Sequence, residues 1–333
     1  MQRIDNIFYK ICSLENLRLA DEIARRGKKK KAGVRFFDKD REGNLERLHY
    51  QLLAGEYHTS PYHHFEVRDP KRRTIAALPY YPDRIVHQAI VNVLGPVWDR
   101  IFIADTFACI KGRGTHAVRR RTREFFRRDP EGTRYCLKLD IHHYYQSIDH
   151  DILKAIIRRK IKDARCLALL DEIVDSYPEG IPIGNWTSSY FANLYLSYEV
   201  GHYLKEVEKV KYLEIYMDDI TIFAGSKEEL HRILAVLQQQ LGKLKLTIKG
   251  NYQIFPVEDR GVDFLGFVFR HGYILLRKRI KRAIFRKIAG IRKKHLSAKN
   301  KRLAVASYIG WLKYTDSINL KHKLNTFAYA QIF

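Results

Sequence analysis

Asp218 and Asp219 stand side by side in YLEIYMDDITIFAG, residues 212–225, between the apolar runs Ile215-Tyr216-Met217 and Ile220-Thr221-Ile222-Phe223. Adjacent carboxylates repel and neither tolerates dry burial, so the pair calls for a bound cation or a turn open to water. A third carboxylate, Asp140, closes the alternating segment RYCLKLDI, residues 134–141. Together they offer hard oxygen ligands of the kind that suits Mg2+, and such sets hold two ions about 3.5 to 4 Å apart. One ion would lower the pKa of a primer 3′-hydroxyl; the other would neutralise triphosphate oxygens and the pyrophosphate leaving group. Nucleases use similar carboxylates, so the metal set alone leaves synthesis and cleavage open.

Elements of fixed kinds must position these groups. The β-branched and aromatic runs around Asp218-Asp219 predict a hairpin whose tight connection presents the pair. RYCLKLDI predicts a strand, and Ser147 or Asp149 can open the helix that follows. The passage YPEGIPIGNWTSSYFANLYL changes texture: Pro178, Gly180, Pro182 and Gly184 hold an irregular loop that leads into a helix and suits a nucleotide cradle. Upstream, Phe65-Glu66-Val67 and Thr74 to Leu78 predict two strands joined through Asp69-Pro70-Lys71-Arg72-Arg73, a basic tip suited to phosphates. Ser13 is placed to cap a helix at Leu14, Leu45–Leu53 predicts a helix closed by Gly55, and the apolar stripe from Ile85 predicts a buried helix ending at Gly95-Pro96. His87 in that stripe reads as a packing or surface histidine. Gly112 and Gly114 bracket Arg113, with Thr115 as the expected cap of an arginine-rich helix.

The chain has 333 residues, 61 Lys plus Arg against 37 Asp plus Glu, and a formal net charge of +24. Such an excess points to a polyanionic partner, most simply nucleic acid. Asp316 is the sole acidic residue from position 270 onward, so the tail reads as a basic helical surface for gripping a duplex. The start, MQRIDNIFYKIC, lacks the apolar run of a signal peptide, and no stretch approaches the length of a membrane span. A cytoplasmic protein with no membrane partner is expected. Cys12, Cys109, Cys136 and Cys166 lack metal-ligand spacing and read as reduced, mostly core cysteines.

YMDDITIFA, with LKLDIHHYYQSID upstream, resembles the two metal-binding motifs of reverse transcriptases, and FLGF resembles their primer-positioning element in the group II intron-like branch. The resemblance implies an α+β right-hand polymerase fold: fingers, a palm on an antiparallel sheet and a helical thumb. Residues 1–130 would be the N-terminal segment and fingers, 131–150 the first part of the palm, and 151–180 a helical insertion. Residues 181–269 would be the second part of the palm and 270–333 the basic thumb. Asp140, Asp218 and Asp219 match the catalytic metal ligands, with Ile141 beside them in the metal set. Tyr145 matches the aromatic residue beneath the incoming sugar, whose ring would clash with a 2′-hydroxyl. Lys71 and Arg73 match the fingers residues that meet the triphosphate of the dNTP substrate. Lys249 lies near the motif with a proton-donating lysine, with Lys243 and Lys245 as alternatives. The implied cofactor is a pair of Mg2+ ions, with Mn2+ as a substitute.

Most reverse transcriptases carry Gln-Gly where this chain has Ile183-Gly184. GIPIGNWTSSYFAN instead resembles the motif of reverse transcriptases from diversity-generating retroelements, as do DPKRRTIAAL, PDRIVHQAI and KGRGTHAV; Ser189 departs from the usual glutamine. This closer resemblance implies a bacterial or phage-encoded enzyme that copies a template-repeat RNA into cDNA with misincorporation opposite adenine. Its implied partners are structured RNA, a cDNA or RNA/DNA primer, and a small basic helical accessory protein, usually pentameric. The alternatives are an intron, retron or CRISPR-associated reverse transcriptase without adenine-specific mutagenesis, and a non-catalytic RNA-binding or defence scaffold.

Overall fold

A computed structural model of the chain describes residues 3–68, 72–293 and 298–321. The expected turn residues Asp69, Pro70 and Lys71, and the end of the basic tail, lie outside the described residues. Nine strands are found among the described residues: β1 (His63–Val67), β2 (Arg73–Ala77), β3 (Tyr135–Asp140), β4 (Tyr212–Tyr216), β5 (Asp219–Ala224), β6 (Gln253–Pro256), β7 (Val262–Phe264), β8 (Phe267–Phe269) and β9 (Ile274–Leu276). They form three sheets, ordered β1-β2, β4-β5-β3-β6 and β7-β8-β9. The result is a mixed α and β fold with small, largely antiparallel sheets. Two compact units divide the chain, each drawn from three separate stretches. The first is Met1–Lys111, Leu139–Ile220 and Ile233–Tyr252; the second is Gly112–Lys138, Thr221–Arg232 and Gln253–Phe333.

The first unit is built on buried helices. Ser13 caps the helix Leu14–Ala24 through its hydroxyl, which accepts from the Asn16 N–H, and Gly55 closes Arg41–Ala54 in a left-handed conformation. Asp149 caps His150–Arg158, and Asp163 caps Ala164–Asp175 while also accepting from the Ile7 and Phe8 N–H groups. The helix expected to stop at Gly95-Pro96 instead runs from Ile85 to Asp99, through Pro96. Continuing the helix buries Trp98, whose ring packs 5.4 and 5.9 Å from Tyr190 and Phe191 of the helix Trp186–Leu196. Burying that indole offsets an interior proline, which costs about 3 kcal/mol. β1 and β2 pair antiparallel with Phe65 opposite Ile75, and β1 is exposed throughout.

In the second unit the helix Thr115–Arg128 buries Val118, Thr122, Phe125 and Phe126. Thr115 is its first helical residue rather than its cap; Gly114 holds the cap position and supplies no side-chain bond. FLGF is itself a hairpin turn between β7 and β8, with Leu265 and Gly266 both at positive φ, 47° and 89°. That pair of angles is the type I′ signature, and glycine meets it without strain. A Cβ on Gly266 would lie 2.8 Å from both Ile280 and Trp311, so the turn also seats the helices Lys278–Arg292 and Ala298–Lys313. Ile284, Ile288 and Ile291, four and three residues apart on the helix Lys278–Arg292, are buried.

Three of the four cysteines are buried, but Cys109 is exposed, held at a φ of 55° in a loop rather than in the core. No helix among the described residues is long and apolar enough to cross a membrane.

Candidate active site

Asp218 sits in the tight turn joining β4 to β5, and Asp219 opens β5. Met217, ahead of the pair, takes a φ of 55°, uncommon for a residue with a side chain and a mark of a constrained turn. Asp140 ends β3. The next residue, the buried Ile141, donates its N–H to the Asp218 carbonyl at 3.1 Å, so a main-chain bond ties the strand end to the carboxylate turn. On the other side of Asp140, residues 247–249 run antiparallel to the strand end. The His142 N–H donates to the Thr247 carbonyl at 2.8 Å, and the Lys249 N–H to the Asp140 carbonyl at 2.9 Å. The Lys249 ammonium then donates to Asp140 Oδ1 at 2.5 Å. Lys245 instead pairs with Asp149 at 2.5 Å and Lys243 with Gln240 at 2.9 Å, so Lys249 is the lysine of the three that meets Asp140.

Burial, then the charges of Asp219 and Asp140, push the Asp218 carboxyl up to about 6, and the Lys249 charge opposes the shift only weakly. Negative charge therefore outweighs positive charge around this turn. A cation corrects that imbalance, and oxygen donors are what Mg2+ takes, so the chemistry of the site fits the metal the family implies. As they stand, no three His, Cys, Asp or Glu side chains among the described residues are gathered tightly enough to hold a metal ion. Asp140 directs one oxygen to Lys249. Asp218 and Asp219 are chain neighbours at the mouth of a strand, where successive side chains leave the backbone in different directions.

Of the expected nucleotide residues, Tyr145, Arg73, Ile183 and Gly184 come together beside this turn. Tyr144 and Tyr145 share a short helical turn; Tyr144 is core, its hydroxyl on the Ala192 carbonyl at 2.5 Å. Tyr145 is half-buried, and its hydroxyl donates to Met217 Sδ at 3.7 Å, linking the expected sugar gate to the carboxylate turn. Burial raises the Tyr145 phenol pKa, with the Arg73 charge opposing the shift, and Arg73 itself lies exposed on β2. The loop through Gly180 and Gly184 is clamped at both ends. The Ile181 N–H donates to the Tyr145 carbonyl at 2.8 Å, and the Ala76 N–H of β2 donates to the Ile183 carbonyl at 3.0 Å. Gly184, at a φ of 137°, has room for no side chain: a Cβ would lie 2.6 Å from the Ala76 oxygen. Arg73, Tyr145, Ile183 and Gly184 are thus assembled within one unit with the carboxylates.

Two contacts of residues already singled out in the sequence come only with the fold. Gly180 abuts the Tyr145 carbonyl, where a Cβ would approach to 2.2 Å; its signal was the Pro-Glu-Gly-Ile-Pro spacing. His87, read as a packing or surface histidine, is buried with Nδ1 2.7 Å from Thr187 Oγ1. A partner a hundred residues away leaves no local trace.

A family model described as reverse transcriptase (RNA-dependent DNA polymerase) matches residues 68–269, the span that holds all three aspartates. The chain belongs to the reverse transcriptase family. This reverse transcriptase is similar to Protein YkfC of Escherichia coli (strain K12), 26% identical over 175 residues, which cover 49% of this chain and 45% of that protein. It is also similar to the group II intron-encoded protein LtrA of Lactococcus lactis subsp. cremoris, 24% identical over 217 residues, 61% of this chain and 35% of that protein. It spans less than half the length of either relative. Among solved structures, telomerase from Candida tropicalis in complex with a TWJ fragment of telomeric RNA superposes with a TM-score of 0.52 at 12% identity, covering 87% of this chain and 58% of that one. That likeness is one of fold.

Proposed function

We propose that the chain is an RNA-directed DNA polymerase of the group II intron-like kind. The reading rests on one observation above all: three aspartates on β3 and the β4–β5 turn, joined by the Ile141 to Asp218 bond, within the span shared with reverse transcriptases. Asp140, Asp218 and Asp219, with Ile141 beside them, would hold Mg2+, or Mn2+ in its stead. The bound metal supplies Lewis-acid activation of a primer 3′-hydroxyl and charge neutralisation on the dNTP phosphates. The chain's own groups do the rest. The Tyr145 ring closes the floor of the sugar position against a 2′-hydroxyl. The Ile183-Gly184 loop supports the base, and Arg73 with Lys71 offers donors to the triphosphate. Lys249 Nζ holds a proton beside Asp140 that it can pass to the leaving pyrophosphate. In the family's right-handed arrangement the segments before residue 130 act as fingers and the basic tail as thumb, and RNA template and primer are the expected nucleic-acid partners. Primer extension on an RNA template with the four dNTPs and Mg2+ tests the reading. Asp218→Ala is expected to abolish extension, and extension that persists in that variant refutes it.

A second reading, adenine-biased mutagenesis in a diversity-generating retroelement, is favoured by Ile183. An aliphatic side chain offers shape and no hydrogen bond, so it relaxes the check that a glutamine applies to a mispair. This reading brings in a template-repeat RNA and a small basic accessory protein. Sequencing the cDNA made by the chain copurified with that protein and RNA separates the readings. Errors concentrated at template adenines, and reduced by Ile183→Gln, support it. Uniformly faithful copying removes it and leaves the polymerase.

A further inference from the structure

The helix Thr115–Arg128 of the second unit turns one face inward and leaves the other bare. Val118, Thr122, Phe125 and Phe126 are buried, and the Phe126 ring packs 5.1 Å from Phe223 and 4.6 Å from His271. At ~100° per residue, His116, Arg120, Arg123 and Arg127 fall within about 60° of arc on the opposite side, along about 16 Å of helix. All four are exposed. The helix carries six arginines and a single acid, Glu124. Glu124 is taken by Arg128 at 2.9 Å and Arg121 at 3.4 Å, and Arg119 lies over the Tyr314 ring and donates to the Tyr314 carbonyl. Among the described residues no ion pair is found for Arg120, Arg123 or Arg127. Burial, then the charges of Arg123 and Arg120, lower the Arg119 pKa, so like charge is concentrated along this stripe rather than balanced.

A row of exposed guanidiniums without carboxylate partners calls for a polyanion, and their forked donors match phosphate. A protein partner would need aromatic or apolar anchors, and the phenylalanines of this helix both point into the core. A single strand would need free rings on which its bases stack. The ring on the stripe, His116, already packs 4.1 Å from Tyr314. Contact through a duplex backbone remains. Phosphates of one strand follow each other every ~3.4 Å of duplex axis, so the stripe spans about four of them. A-form RNA is recognised through such contacts and through its shape. The copied duplex is expected on the basic tail, and none of the stripe residues belongs to the groups proposed for metal, nucleotide or triphosphate. We propose that this face docks a base-paired segment of RNA, held by its phosphate backbone, that is not the duplex being copied. The inference rests on the polymerase reading only for RNA as the partner.

The probe is a closed dumbbell RNA, base-paired along its stem and without a 3′ end to extend, and its binding to the full chain is followed by fluorescence anisotropy. Wild-type protein should bind it more tightly than a single strand of the same length. The triple variant Arg120→Gln, Arg123→Gln, Arg127→Gln should bind the dumbbell about tenfold more weakly, the scale of three exposed ion pairs. The slope of log affinity against log salt should become shallower by about 2 to 3. Affinity for a primer–template should hold, and replacing the same three arginines by lysine, which keeps the charge, should keep the slope. Equal wild-type affinity for dumbbell and single strand overturns the proposal, whether or not the glutamine variant folds. An unchanged dumbbell affinity in that variant also overturns it. So does an equal loss for dumbbell and primer–template, which would assign the stripe to the copied duplex. Displacement by polyglutamate as effective as by unlabelled dumbbell would assign it to an acidic protein instead. If dumbbell binding depends on the stripe yet wild-type protein extends no primer, the docking surface stands and the polymerase reading falls.

Discussion

An aspartate pushed up to about 6 by burial and by two neighbouring carboxylates holds repulsion inside the folded chain. Its folded pKa lies above the ordinary 3.8, so between 3.8 and about 6 the folded state binds more protons than the unfolded one. Stability contributed by protonated Asp218 is complete below that window and is lost as pH rises through it. Without added metal, Asp218→Asn should therefore raise the melting temperature at pH 7, by about 1–3 kcal/mol of stability, and flatten the pH dependence across the window. Thermal melts from pH 4 to 7 decide this, and a variant no more stable than wild type contradicts it. At Tyr145, replacement by Ala should admit ribonucleotides, cutting the dNTP to rNTP ratio of kcat/KM by about 10- to 100-fold. Steady-state extension with each nucleotide measures that ratio. At this scale the sequence was informative where chemistry is local: paired aspartates and an aromatic five residues past Asp140 need no neighbours to be noticed. Lys249 could not be separated from Lys243 and Lys245, because the choice depends on which lysine folds back onto β3.

Elements carry their own constraints, and the loop from Gly180 to Gly184 shows them most sharply. Both ends are fixed by main-chain bonds, to the Tyr145 turn and to β2, and both glycines are hemmed by backbone. Gly180→Ala should cost about 2 kcal/mol or more and raise the KM for dNTP, because the clash is with the carbonyl that supports Tyr145. Gly112→Ala is the contrast: φ is 78° but a Cβ there meets nothing within 4 Å, so only about 1 kcal/mol is at stake. Chemical denaturation of the two variants checks the order, and equal costs would refute the clash. Strands flanking the aspartates were legible because alternation is written residue by residue. The end of the helix Ile85–Asp99 was not, since Gly95-Pro96 is a local stop signal overruled by the burial of Trp98, a tertiary fact.

For the molecule as a whole, a net charge of +24 sets the terms of association with nucleic acid. Affinity for an RNA–DNA duplex should fall by about a thousandfold between about 50 and 200 mM salt, as six or more phosphate contacts require. A titration showing salt-independent binding would contradict this. Charge is legible from composition, whereas two units each assembled from three separate stretches follow from pairings that only the folded chain makes. That interleaving puts the site on a clock. Asp140 and Lys249, bonded in the folded chain, are 109 residues apart, so at ~5–20 residues per second the aspartate is made about 5 to 20 s before its lysine. A nascent chain halted between residues 219 and 249 already carries all three carboxylates but lacks the ammonium that restrains one of them, and the strand that ends in Asp140 waits for an edge that the ribosome has not yet delivered.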